Sequence, residues 1–71
     1  MKLDDLIKCL YATQQITINE TMFDDQGRET EWTRPLYKGF AIEYDDEHAG
    51  AQVLGVQADD DTMIINCRLS D

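Results

Sequence analysis

Gln15-Ile16-Thr17-Ile18-Asn19-Glu20-Thr21-Met22-Phe23-Asp24-Asp25-Gln26-Gly27 is the stretch that decides the fold. Ile16 and Ile18 alternate against Thr17 and Asn19, and the run carries on through Met22, which is the period of a half-buried strand. Asp24-Asp25-Gln26-Gly27 then predicts a hairpin with a three-residue loop, Asp25-Gln26-Gly27, in which Gly27 takes the left-handed position. That loop pairs Met22 with Thr30, Glu20 with Trp32, Ile18 with Arg34 and Ile16 with Leu36. Ile16, Ile18, Met22, Trp32 and Leu36 then share one face, and a slip of one residue would invert the arrangement.

Upstream, Leu3, Leu6, Ile7, Leu10 and Tyr11 fall at i, i+3, i+4, i+7 and i+8, which predicts a helix of about three turns from Leu3 to about Ala12. Asp4 and Asp5 sit in its first turn, where the helix dipole favours carboxylates. Downstream, Pro35 belongs at an edge or a strand end, and Leu36-Tyr37-Lys38-Gly39 reads as a bend. Phe40, Ile42 and Tyr44 alternate with Ala41 and Glu43 as a short third strand, with a loop or a single helical turn as the other reading over residues 45–50. A last hairpin with a two-residue loop at Asp59-Asp60 pairs Ala58 with Asp61, Val56 with Met63, Leu54 with Ile65 and Gln52 with Cys67. Val53 and Ile64 are left on its opposite face. Together these elements predict one α+β domain over residues 1–71: an N-terminal amphipathic helix packed on a curved antiparallel sheet of four or five strands.

Composition bounds the function. The chain has 71 residues, fifteen Asp and Glu against six Lys and Arg, and a formal net charge of −9. A field of one sign on so small a body favours basic partners, repels nucleic acid and anionic membrane, and opposes compaction. Hydrophobic content of 42% argues against disorder despite the charge. Cys9 and Cys67 are too few and too far apart for a disulfide framework or a zinc site. With no basic-then-apolar leader and no run of the roughly 20 apolar residues a membrane span needs, a cytoplasmic protein is expected.

Chemistry-bearing constellations are scarce. His48 sits between Glu47 and Ala49 in an expected loop, no nucleophile has a companion base at a recognisable spacing, and there is no glycine-rich phosphate loop. No enzyme, cofactor or metal ligand set is expected. Asp24-Asp25-Gln26-Gly27 lacks the alternating ligands and closing Glu of a calcium loop, and Asp59-Asp60-Asp61 has no glycine.

The acids themselves are clustered. In an up-and-down meander the Asp24-Asp25 turn, the Asp45-Asp46-Glu47 turn and the helix start share one rim, with Asp59-Asp60-Asp61 at the other. Such a rim serves solubility, or recognition of a basic partner protein, or divalent-cation binding. Trp32-Thr33-Arg34-Pro35-Leu36-Tyr37 carries residue types enriched at interfaces. Trp32 is expected in the core with Arg34 stacked on it, and Tyr37 as an exposed anchor. The expected partner-binding residues are therefore Asp24, Asp25, Asp45, Asp46, Glu47 and Tyr37.

Met1-Lys2-Leu3-Asp4-Asp5-Leu6-Ile7, Gln15-Ile16-Thr17-Ile18, Leu36-Tyr37-Lys38-Gly39 and the closing Val53-Leu54-Gly55-Val56-Gln57-Ala58-Asp59-Asp60-Asp61-Thr62-Met63-Ile64-Ile65 resemble short uncharacterised proteins of phages and prophages of Gram-positive bacteria. The resemblance implies a non-enzymatic inhibitor or modulator of host machinery, such as an anti-defence protein occupying a nucleic-acid site. The segment between Gly27 and Pro35 is longer and more aromatic than that resemblance implies. The expected function is binding of a basic, nucleic-acid-handling host protein without direct contact to nucleic acid or membrane. The alternatives are a structural homo-oligomer, in which Val53, Ile64 and an unprotected strand edge are buried between copies, and a weak divalent-cation binder.

Overall fold

The period-two run forms strand β1 (Gln15–Phe23), which returns as β2 (Glu29–Phe40); β3 (Gln52–Asp59) and β4 (Thr62–Arg68) form a second hairpin, and helix α1 (Leu3–Lys8) precedes them all. The computed structural model describes residues 1–45 and 47–69. Its architecture is α+β, one short N-terminal helix with a four-stranded mixed sheet in the order β2-β1-β4-β3.

The all-antiparallel meander is thereby corrected, because β1 and β4 run parallel, with Ile16 beside Met63, Ile18 beside Ile65 and Glu20 beside Cys67. Hairpin pairing is local and legible in turn chemistry; the parallel pair joins one strand of each hairpin, with residues 41–51 crossing between the two edge strands β2 and β3, and is decided by what it buries. It brings Ile16, Ile18, Ile65 and Cys67 to the middle of the sheet, where all four are fully buried together with Leu3.

The helix is shorter than its apolar stripe. Its N-cap residue Lys2 makes no side-chain cap bond. Instead the Leu3 and Asp4 N–H groups donate to the carbonyls of Ala51 (2.7 Å) and Ala49 (3.1 Å), so the crossover satisfies donors that a helix start leaves orphaned. The other end closes through i to i+3 bonds from Cys9 to Leu6 and from Leu10 to Ile7. Leu6, Ile7 and Leu10 pack against the core, whereas Tyr11 lies beyond the helix and is exposed.

In the first hairpin Gly27 is left-handed at φ 78°, as its place in the turn requires. Phe23 opposes Glu29, consistent with the expected register, but two irregularities follow: Thr21 opposes Thr33, and after Asn19–Pro35 the next pair is Ile18–Tyr37. Extra residues of β2 are accommodated as bulges, which the edge position of β2 and the missing donor of Pro35 tolerate. The consequence overturns the expected core position of Trp32, which is 70% exposed. Arg34 does not stack on it; its guanidinium pairs with Glu20 Oε1 at 2.6 Å. The cation–π contact is made by Arg68 over Phe23, 4.5 Å from the ring centre.

The expected third strand is also absent from residues 40–44. Phe40 ends β2, and Ala41–Glu43 form a 3-10 turn. A period of three replaces a period of two, so Ala41 and Tyr44 are buried and Ile42 points to solvent. In the last hairpin Val56 faces Ile65 and Ala58 faces Met63. The shared face stands for Val56, Ala58, Met63 and Ile65, but the turn is at Asp60-Asp61, and a bulge at Leu54 sets Val53, expected on the opposite face, against Cys67 and leaves Leu54 exposed.

Candidate protein interface

Of the expected binding residues, Asp24 and Asp25 lie at the tip of the β1–β2 hairpin, beyond the last residue pair of β1 with β4. Asp24 serves its own turn. Its Oδ1 accepts from the backbone N–H groups of Gln26 (2.9 Å) and Arg28 (2.8 Å), and its Oδ2 meets Arg28 Nε at 3.2 Å. The Arg28 N–H above all holds the Asp24 carboxyl below its ordinary value, against a smaller desolvation and with help from the Gln26 N–H and the Arg28 side chain.

Asp45 and Glu47 lie in the crossover, where the Glu47 N–H donates to Asp45 Oδ1 at 3.1 Å. Asp46 falls outside the described residues. Tyr37 is a packing residue rather than an exposed anchor. It is half-buried, its ring meets Tyr44 edge-on at 5.2 Å, and its hydroxyl donates to the Phe40 carbonyl at 2.7 Å. Partial burial pushes its phenol up, and the carboxylates of Glu43 and Asp45 push the same way.

The helix start and the Asp24-Asp25 turn lie toward one end of the sheet and the Asp59–Asp61 turn at the other, as expected, and the mixed topology assembles a further surface at that second end. Because β4 runs parallel to β1, the Asp59–Asp61 turn stands at the start of β1, the end opposite Asp24 and Asp25. The 3-10 turn arrives at that same end. Gln14 links the two, its carbonyl accepting from Ala41 N–H (2.9 Å) and its side-chain amide donating to the Asp61 carbonyl (2.9 Å), while Ile42 N–H donates to Ala12 (3.1 Å). These bonds bring together side chains that period and charge alone left scattered. Tyr11 is 85% and Ile42 70% exposed, and Phe40 is also solvent-facing. Glu43 ends the 3-10 turn, Asp45 follows it by two residues, and Asp60 and Asp61 form the β3–β4 turn.

A groove of about 450 Å³ lies between Thr13–Gln15 and the Asp60–Met63 stretch, and a smaller hollow of about 210 Å³ beside it reaches Lys38, Gly39 and Phe40. Both share Gln15 and Thr62, so they adjoin. Sequence reasoning missed this surface because Tyr11 matched the helical stripe and Ile42 matched a strand; the usable signal was that Ala41 and Tyr44, three apart, are also apolar.

Among the described residues no group of three or more His, Cys, Asp or Glu side chains is placed to hold a metal ion. Burial raises the Cys67 thiol above its ordinary value, and Glu20 adds to this, so that thiol is held protonated inside the core. Among the described residues no helix is long and apolar enough to cross a membrane. No protein-family model, curated protein or solved structure matches the chain.

Proposed function

We propose that this chain is a non-enzymatic, acidic interaction protein of phage or prophage origin that acts in the cytoplasm by docking on a basic surface of a host protein and modulating it. The observation that carries this reading is the coincidence, at the start of β1, of exposed Tyr11, Phe40 and Ile42 with the carboxylates of Glu43, Asp45, Asp60 and Asp61. Apolar side chains supply contact area that excludes water, and the surrounding charge steers a cationic partner and sets its orientation. Carboxylates in this role stand in for phosphates, so the favoured partner surface is one that ordinarily holds nucleic acid. The reading also takes α1 as amphipathic, covering one side of a curved sheet with Leu3, Leu6, Ile7 and Leu10, which leaves the acidic end unobstructed.

Capture of a partner from host lysate at low salt, identified by mass spectrometry, is the direct test. Asp60→Asn with Asp61→Asn should weaken capture at least about tenfold, and added salt should do the same as screening lengths shrink below about 8 Å. Asp24→Asn with Asp25→Asn should leave it nearly unchanged. A partner held equally well by all variants and at high salt sinks the proposal.

A further inference from the structure

The two edges of the sheet are finished differently. β2 carries Pro35, Lys38 and two bulges, devices that discourage another strand from pairing there. The outer side of β3 already takes extended backbone at its first residues: Val53 N–H donates to the Met1 carbonyl at 2.9 Å, Leu3 N–H donates to the Ala51 carbonyl at 2.7 Å, and Lys2 faces Gln52 in an antiparallel bridge. Past Val53 no strand among the described residues pairs with that side. Asp59 and Thr62 flank the two-residue turn and exchange their backbone bonds inward, so alternation turns the N–H and C=O groups of Ala58 and Val56 outward. Val56 is 46% exposed, and the groove of about 450 Å³ opens beside it, lined by Ala58 and Met63 together with Asp60 and Asp61.

On the strength of the acidic docking reading above, we infer that residues 56–60 take one extended segment of the basic partner as an added antiparallel strand, in which a Lys or Arg is followed by apolar residues two and four positions later. The direction continues the Met1–Leu3 pairing on the same edge. In this register the segment's apolar residues lie opposite Ala58 and Val56, bond to their outward backbone groups and cover the exposed Val56 side chain. Ala58 and Val56 share a face with Met63 and Ile65. The cation, opposite Asp60, stands on that same face, with its stem along the Ala58–Met63 wall of the groove and its charge beside Asp60 and Asp61.

Charge selects both the occupant and the register. The Asp60 and Asp61 carboxylates make no side-chain hydrogen bond or ion pair among the described residues, so they are free to meet a cation. Sliding the segment two residues toward Gln52 takes the cation away from them and drives its other end toward Met1; sliding it the other way leaves Val56 uncovered. β3 of a second copy does not fit, because acids rather than a cation flank its apolar pair.

The test is a titration of the isotope-labelled full chain with a capped peptide containing Arg-Thr-Val-Thr-Val, read residue by residue by amide exchange. Near saturation the Val56 and Ala58 amides should exchange at least about tenfold more slowly, while those of Gln57 and Asp59, already turned toward β4, stay as they were. Glu in place of the peptide's Arg, or Asp60→Asn with Asp61→Asn in the chain, should weaken binding at least about tenfold. Ala58→Pro should abolish binding with the circular dichroism spectrum intact, because the donor it removes points outward from an edge strand. N-methylation of the peptide residue opposite Ala58 removes a bond of the same pair without touching the fold, and should weaken binding likewise. A peptide that does not bind at about 1 mM, a reversed sequence that binds equally, or slowing at Val56 and Ala58 that follows chain concentration without peptide overturns the inference. So does lysate capture that Asp60→Asn with Asp61→Asn destroys and Ala58→Pro leaves intact, an outcome that keeps the acidic docking reading and removes only the added strand.

Discussion

At the tip of the β1–β2 hairpin Asp24 accepts two backbone N–H bonds and an arginine while Gly27 takes the left-handed conformation, whereas at the β3–β4 tip Asp60 itself is left-handed, at φ 53°. No side-chain hydrogen bond or ion pair engages the Asp60 or Asp61 carboxylate among the described residues. Both turns are acidic in the sequence, and only one spends its acid on holding itself together. A carboxylate already solvated by backbone dipoles has little left to offer a partner. An acidic turn is therefore a candidate binding element only after its internal bonds have been subtracted, which removes Asp24, and the exposed apolar side chains draw the candidate surface to the opposite end of the sheet.

The largest effect should come from breaking what the two hairpins share. Ile65 is fully buried, lies beside Ile18 across the parallel seam and faces Val56 within its own hairpin. Ile65→Ala should cost about 2–5 kcal/mol and, in so small a domain, unfold both hairpins in one transition followed by urea denaturation. Loss of the β3–β4 hairpin alone, with β1–β2 intact by amide exchange, would show two independent units rather than one sheet.

Next in size is the contrast between the turns' left-handed positions. Gly27→Ala should destabilise by about 1–2 kcal/mol, because a Cβ is strained at φ 78° even in open space. Asp60→Gly should change stability by less than about 0.5 kcal/mol, since relief at φ 53° is offset by the entropy glycine loses on folding. Equal and opposite effects in thermal melts would mean that the two turns are equivalent after all.

The smallest effect is a pH dependence at the Asp24 tip. The fold lowers the Asp24 pKa below its ordinary 3.8, so ionised Asp24 is favoured in the folded state. Its stabilisation is present above that value and is lost as pH falls through the lower folded one. Asp24→Asn should flatten the acid side of the stability profile. A profile that stays as steep in that variant removes the role given to the Asp24 carboxylate.

Local features were legible and relational ones were not. The alternation of Ile16 and Ile18, the turn at Gly27 and the shared face of Val56, Ala58, Met63 and Ile65 follow from side-chain period and backbone sterics within a few residues. The bulges that expose Trp32 and Leu54 could not be read this way, because a strand accepts an extra residue only in answer to a neighbour's register. The short helix belongs with them, since its first N–H groups are satisfied by Ala49 and Ala51, far along the chain.

The amino-acid order alone determined that this chain is a small, strongly acidic α+β body with two hairpins and an apolar helical stripe, since charge and periodicity are properties of residues and near neighbours. Tertiary structure alone decided that β1 and β4 lie parallel, because that pairing is chosen by the joint burial of Ile16, Ile18, Ile65 and Cys67. With it came the placement of the Asp59–Asp61 turn beside Tyr11, Phe40 and Ile42, which no local rule encodes.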